Sequence, residues 1–297
     1  MNKKYNSLSR NVFLAFDYIL LAALSVICFM PLLNLAAISV SNKAAASARL
    51  VAFWPKGFNI ESYGLILNTP RFINAFTVSI SRVFAGTLVN MVLITLTAYV
   101  LSRENRDLKG RNVLMWYFII PMLFNGGLIP TYLVIRDVGL LDKFWVLIIP
   151  TAIHFWNVVM MMNFFRNLPR SLYESALLDG ASHPKVLLHI FIPISLPSIA
   201  TITLFSMVFH WNAWFDGMIY INDPDRQPLQ TYIRNIVSQG VNIQLLAREG
   251  NYRVLETVSN ETLKAAQVFV ATVPILVAYP FLQRYFVSGI TIGAIKE

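Results

Sequence analysis

Long apolar runs free of Asp, Glu, Lys and Arg constrain this chain more than any other feature. They cover Tyr18–Asn42, Asn112–Ile135, Phe144–Phe165 and Ile190–Phe215. Each is long enough, at about 1.5 Å per residue, to cross a hydrocarbon layer of about 30 Å as a helix. Val83–Ser102 and Ala265–Gln283 are shorter but still sufficient. The expected fold is an all-α polytopic membrane protein with six transmembrane helices, roughly 12–40, 72–102, 112–135, 143–165, 190–216 and 264–284. These form one domain, 1–297, with a cytoplasmic loop at 166–189 and an extracellular loop at 217–263. The balance of 56% apolar to 13% charged residues excludes an ordinary soluble domain.

The single cysteine, Cys28, lies inside the first run. It rules out an intrachain disulfide or a cysteine metal cluster and suits small apolar packing. Lys3, Lys4 and Arg10 precede that run, and Ala44-Ala45-Ala46-Ser47-Ala48 follows it. The run is about twice the length of a signal peptide's apolar region, so the expectation is an uncleaved first helix.

Six spans put both termini on one side, and the Lys and Arg of the connections choose which. Twelve of the 24 basic residues fall on the side holding the termini, the 103–111 connection and the 166–189 loop; eleven fall opposite. Acids divide 5 to 9, leaving most of the +9 charge on the terminal side, which is read as cytoplasmic. The aromatics lie mainly in or near the apolar runs, not interleaved with Lys and Arg on a soluble face, so nucleic acid is not needed to explain the charge.

Pro150, Pro193, Pro197, Pro274 and Pro280 fall inside expected spans and predict kinks or breaks. Ser81 and Ala85, four apart, suit close helix contact. The loop at 217–263 is long enough to carry structure of its own, and loops of that kind are usually functional.

Between the fourth and fifth spans stands Leu168-Pro169-Arg170-Ser171-Leu172-Tyr173-Glu174-Ser175-Ala176-Leu177-Leu178-Asp179-Gly180-Ala181. Ser171 with Glu174 has the spacing of a capping box, Leu172–Asp179 reads as a short amphipathic helix, and Gly180 as its stop. Glu174, Leu177, Leu178 and Ala181 share one face, a single acid among small and apolar groups. Such a face suits a partner, although Glu174 could equally serve only its own helix.

The pattern Glu174-x-Ala176-x-x-Asp179-Gly180, followed by nine residues, Ile190 and Pro193, resembles the Glu-Ala-Ala loop of ABC importer permeases. Ser175 and Ile192 stand where that family has Ala and Leu. Gly126-Gly127-Leu128-Ile129-Pro130, His210-Trp211-Asn212-Ala213-Trp214-Phe215 and the ending from Gln283 to Lys296 extend the resemblance to the maltose-type carbohydrate permeases. It is nearest the branch serving polysaccharide fragments such as alginate and pectin oligosaccharides. The resemblance implies a type I importer permease whose cytoplasmic coupling helix docks on an ATPase. Glu174, Ser175, Ala176, Leu177, Asp179 and Gly180 would be the coupling residues, Ala176 and Gly180 would permit close approach, and Pro193 would open the next span. It further implies a second related permease, two ATPase subunits that bind the ATP and Mg, and a solute-binding protein. The tail from Gly293 to Glu297 would reach toward the ATPases, and the loop before the last span toward the binding protein.

No Gly-x-x-x-x-Gly-Lys-Ser/Thr sequence occurs, and the four histidines are too scattered for a zinc motif, so the chain is expected not to be an enzyme and to carry no cofactor or metal. A sugar path needs aromatic faces and groups that meet hydroxyls. The candidates are Asn157, His210, Trp211, Asn212 and Trp214, with Trp211 and Trp214 at i, i+3; Trp214 also fits an interfacial aromatic belt. Arg82 lies inside the second expected span, 72–102, where a charge normally faces a cavity or a partner. It could bind a sugar carboxylate bidentately, pair with Asp17, or snorkel outward. The functional expectation is therefore an inner-membrane permease for oligosaccharides, uronate-containing ones included. The alternative is an ion-coupled secondary carrier, which calls for inverted repeats and intramembrane acids.

Overall fold

The computed structural model describes residues 8–124, 126–239 and 257–294; for residues 8, 9, 239 and 281–294 it describes the backbone alone. The principal helices are α1 (Leu8–Ser39), α2 (Pro70–Ser102), α3 (Arg111–Leu123), α4 (Leu128–Asp137), α5 (Phe155–Arg166), α6 (Arg170–Leu178), α7 (Leu196–Asn212), α8 (Leu229–Gln239) and α9 (Asn260–Ala294). No strand occurs among the described residues.

Three expected spans are single helices of membrane length: α1, α2 and the Asn260–Pro280 part of α9. The other three are divided. The run at 112–135 is split into α3 and α4, with Gly127 at φ +87°, a conformation that L side chains rarely adopt. The run at 143–165 begins as 3₁₀ turns through Pro150 and bends 50° into α5. The run at 190–216 bends 86° between His183–Ile194 and α7. Pro193 and Pro197 bracket that bend at Ser195, each withholding a backbone N–H. The long helix of this span therefore opens at Leu196, with Pro197 in its first turn, which corrects the expectation for Pro193. Pro274 and Pro280 lie inside α9 without ending it.

The packing divides the chain into two compact units. The first comprises 1–70 with 235–273. Asn42 caps the turn Lys43–Ser47 by accepting from Ala45 N at 2.8 Å, so the small-residue tract is helical with Ala45 and Ala46 buried. Asn34 donates to Ala52 O at 2.6 Å, and Asn59 to Thr257 O at 3.0 Å. Ser259 and Thr262 cap the start of α9 reciprocally, each side-chain oxygen accepting from the other's backbone N–H at 3.0–3.1 Å.

The second unit comprises 71–234 with 274–297. Phe72, Ala75, Ser79, Arg82, Gly86, Asn90, Ile94, Ala98 and Leu101 recur every three or four residues along α2 and form its buried face. Near one end they join Met161 and Phe165 of α5, Tyr173 of α6, Val186, Leu187, Phe191 and Ile202 in a single core. This core lies directly beneath α6.

Candidate functional site

The short helix α6 starts at Arg170, two residues before the expected start. Pro169, at φ −55°, precedes it and offers no side-chain cap. Ser171 is therefore already inside the helix, and the expected Ser171–Glu174 capping box does not form. Instead Glu174 Oε1 accepts from Arg170 Nε at 2.6 Å, and Ser175 Oγ donates back to Ser171 O at 2.7 Å. The helix ends as expected. Gly180 takes φ +77°, with Gly180 N bonding Leu177 O at 3.0 Å and Ala181 N bonding Ala176 O at 2.9 Å, the paired bonds of a Schellman stop.

α6 has two unlike sides. Glu174, Ser175, Leu177, Leu178 and Asp179 are exposed, Leu178 at 88%. Ala176 and Ala181 are half-buried against the core, and Tyr173 is buried. Ala181 thus faces inward and leaves the shared outer face to Glu174, Leu177 and Leu178.

Two contacts root the inner side. Arg170 pairs with Glu104 and reaches Asp107 at 3.5 Å. The Arg170 hydrogen bond holds the Glu104 carboxyl below its ordinary range, and the same pairing raises Arg170. The Arg103 guanidinium lies over the rings of Tyr173, Phe191 and Tyr99, 4.4, 4.7 and 4.8 Å from their centroids. His183 stacks on Tyr173, its Nδ1 3.2 Å from Tyr99 OH. One cation therefore joins the end of α2, α6 and the segment leading to α7. Sequence reasoning missed this cluster; the signal was Arg103, the first charge after a buried run.

The expected substrate-path residues are not gathered into one wall. Arg82 has no exposed surface. It donates to both oxygens of Asp216, at 3.0 Å from Nη1 to Oδ1, and to Ala213 O at 3.3 Å. This corrects all three expectations for Arg82: its partner is Asp216, not Asp17, it does not snorkel, and its fork is already taken by a carboxylate within the chain. One turn away, Ser79 Oγ accepts from Leu229 N at 2.8 Å. These two contacts hold the segment after α7 against α2.

His210 is buried against Gly86, where a Cβ would lie 2.5 Å from its Nε2, so the glycine sets how closely α2 and α7 approach. Asn90, in the orientation that satisfies its amide, donates to Gly86 O at 3.0 Å and Ala152 O at 3.2 Å. Asn157 is also buried, whereas Asn212 is exposed. Trp211 and Trp214 do not share a helix face, because α7 ends at Asn212. Trp211 is buried against Phe76 at 6.0 Å, and Trp214 is half-exposed under the Arg234 guanidinium at 5.2 Å. Residues 240–256 of the loop before the last span and 295–297 of the tail, to which binding-protein and ATPase contacts were assigned, lie outside the described residues.

Three helices of membrane length and three bent pairs, with a rooted helix presenting an exposed outer face, define a multi-pass membrane protein. Residues 91–292 match the family described as the binding-protein-dependent transport system inner membrane component, and the chain belongs to that family. It is 38% identical over 286 residues to the polygalacturonan/rhamnogalacturonan transport system permease protein YtcP of Bacillus subtilis (strain 168), covering 95% of this chain and 97% of that one. It is also 38% identical over 292 residues to protein LplC of the same organism, covering 98% and 97%. Among solved structures it resembles a chain of a bacterial ABC transporter involved in the import of the acidic polysaccharide alginate, with TM-score 0.87 and 29% identity over 96% of this chain and all of that one. The chain is thus a permease component of an inner-membrane transport system, as the resemblance in its sequence implied.

Proposed function

We propose that the chain is one permease subunit of an ATP-driven importer for acidic oligosaccharides, uronate-containing fragments of pectin or alginate type. In this reading it pairs with a second related permease, two ATPase subunits that hold ATP and Mg, and an extracellular solute-binding protein. Both termini and α6 face the cytoplasm.

The observation that carries the reading is the two-sidedness of α6. Its outer face combines one carboxylate with two exposed leucines, a surface able to insert into a cleft on an ATPase. Its inner face is tied to the end of α2 and the connection after it through Arg103 and Arg170, and to the segment leading to α7 through Phe191 and His183. A displacement imposed on α6 by ATPase closure is therefore passed to the end of α2 and to the His183–Ile194 segment, which meets α7 at the 86° bend. Glu174 takes the polar contact to the ATPase, and Ser175, Ala176, Asp179 and Gly180 shape the helix and its close approach. The substrate class rests on the two relatives named for acidic polysaccharides. Asn212 and Trp214, exposed at the end of α7, are the path residues left available to sugar; Arg82, Asn157, His210 and Trp211 support them from within.

The test is uptake by the reconstituted complex of labelled galacturonate, alginate and neutral oligosaccharides, with the ATPase assayed in parallel. Acidic fragments are expected to be taken up in preference to neutral ones. Leu178→Asp is expected to release the ATPase on purification and abolish uptake, with the permease pair still assembled. Transport by the chain alone, or retention of the ATPase by Leu178→Asp, would overturn the reading.

A further inference from the structure

A cavity of about 510 Å³ opens beside the root of α6, between the end of α2, the 103–112 connection and the end of α5. Four arginines line it, Arg103, Arg111, Arg166 and Arg170, against two acids, Glu104 and Asp107. Both acids are committed to Arg170, and Glu104 also to Arg106 at 2.9 Å.

Among the described residues, the remaining three guanidinium groups meet only neutral groups. Arg111 Nε and Arg166 Nη2 donate to the same oxygen, Leu101 O, at 2.9 and 3.2 Å. Arg111 also meets Asn112 Oδ1 at 3.2 Å, and Arg103 meets Ser102 Oγ at 2.9 Å besides its three rings. Among the described residues no carboxylate lies within ion-pair distance of any of the three. Two cations on one carbonyl oxygen stand within two hydrogen-bond lengths of each other, and their repulsion is relieved by an anion set between them. Arginine forks match the oxygens of a phosphate.

Position selects the source of that phosphate. Leu101 and Ser102 end α2, Arg111 begins α3 and Arg166 ends α5. The cavity therefore lies where three apolar segments leave the membrane, at headgroup level, and a basic pocket between helices at that level suits an anionic lipid. We propose that this cavity binds the phosphodiester headgroup of an anionic phospholipid, held by Arg103, Arg111 and Arg166. Because Arg170 and Tyr173 line the same space, the bound headgroup braces the root of α6.

The test is native mass spectrometry of the complete complex taken from bilayers of equal parts phosphatidylglycerol and phosphatidylcholine. The complex is expected to retain phosphatidylglycerol over phosphatidylcholine. Arg111→Gln/Arg166→Gln is expected to lower that retention roughly twenty-fivefold, about fivefold per arginine, and Arg106→Gln, outside the cavity, to leave it unchanged. Asn112→Asp, which sets a carboxylate beside Arg111 with every arginine intact, is expected to expel the lipid and serves if the double variant fails to fold. Equal retention by wild type and Asn112→Asp overturns the proposal. So does displacement of the lipid by excess inorganic phosphate, which would make the site one for free phosphate. Retention by the permease pair but exclusion once the ATPases are bound also overturns it, since an acidic partner group would then be the occupant.

Discussion

Arg82 carries its charge at no exposed surface because Asp216, across the end of α7, meets both ends of its guanidinium. Removing one member of a buried pair strands the other. Arg82→Ala and Asp216→Ala are each expected to cost about 3–5 kcal/mol of stability, with the double variant costing less than their sum, as read by thermal unfolding of the purified complex. Uptake of acidic and neutral oligosaccharides should fall together in Arg82→Ala; selective loss of the acidic ones would restore a direct role in binding carboxylates. The sequence made Arg82 conspicuous, yet its partner was illegible. Asp216 lies 134 residues away, and only packing brings the two helices together. Glu104 supplies a pH dependence of opposite location. Its hydrogen bond from Arg170 holds the folded-state pKa below the ordinary value of 4.5. The stabilisation is therefore fully present above that ordinary value and is lost as pH falls through the lower folded value. The melting difference between wild type and Glu104→Gln is expected to be constant near neutrality and to close on acidification below the ordinary carboxyl value.

At the scale of the element, α6 was legible in its composition and its stop but not in its start. Gly180 at the end of an apolar-periodic segment has few other uses, and it takes φ +77°. The capping box failed because Pro169, whose ring already restricts φ, sets the first turn two residues earlier. Gly180→Ala must place a Cβ at positive φ and is expected to cost about 1–2 kcal/mol, visible as weaker coupling of ATPase activity to transport. Tyr173→Ala removes the ring that Arg103 covers at 4.4 Å and the stack on His183. It is expected to leave the outer face of α6 intact, so the ATPase still co-purifies while transport per ATP falls. If transport per ATP is unchanged, the aromatic cluster does not carry the motion. Gly86→Ala would drive a Cβ into the His210 ring and is expected to separate α2 from α7.

For the whole molecule, Cys28 is a built-in probe. It is the only cysteine and is exposed on α1, a 32-residue helix of membrane length. In sealed vesicles it is expected to react with a lipid-soluble maleimide and to resist a charged one. In a Cys28→Ser background, Leu178→Cys is expected to label with the charged reagent only in inside-out vesicles, and labelling from the opposite side would reverse the assigned orientation. The number of apolar segments and the helical class followed from run length alone, because backbone groups in hydrocarbon have only each other as partners. The breaks of the fourth and fifth segments were foreshadowed by Pro150, Pro193 and Pro197 and that of the third, at Gly127, was not, whereas Pro274 and Pro280 carry the same local signal as the other prolines and leave α9 continuous. The sequence by itself determined the apolar segments and the stop of α6, since these depend on run length and one glycine. Only the tertiary structure decided that Arg82 is answered by Asp216, that Arg103 ties α6 to the end of α2 and to the segment leading to α7, and that Arg111 and Arg166 converge on Leu101. Such pairings depend on the approach of residues distant in the chain, which no local pattern encodes.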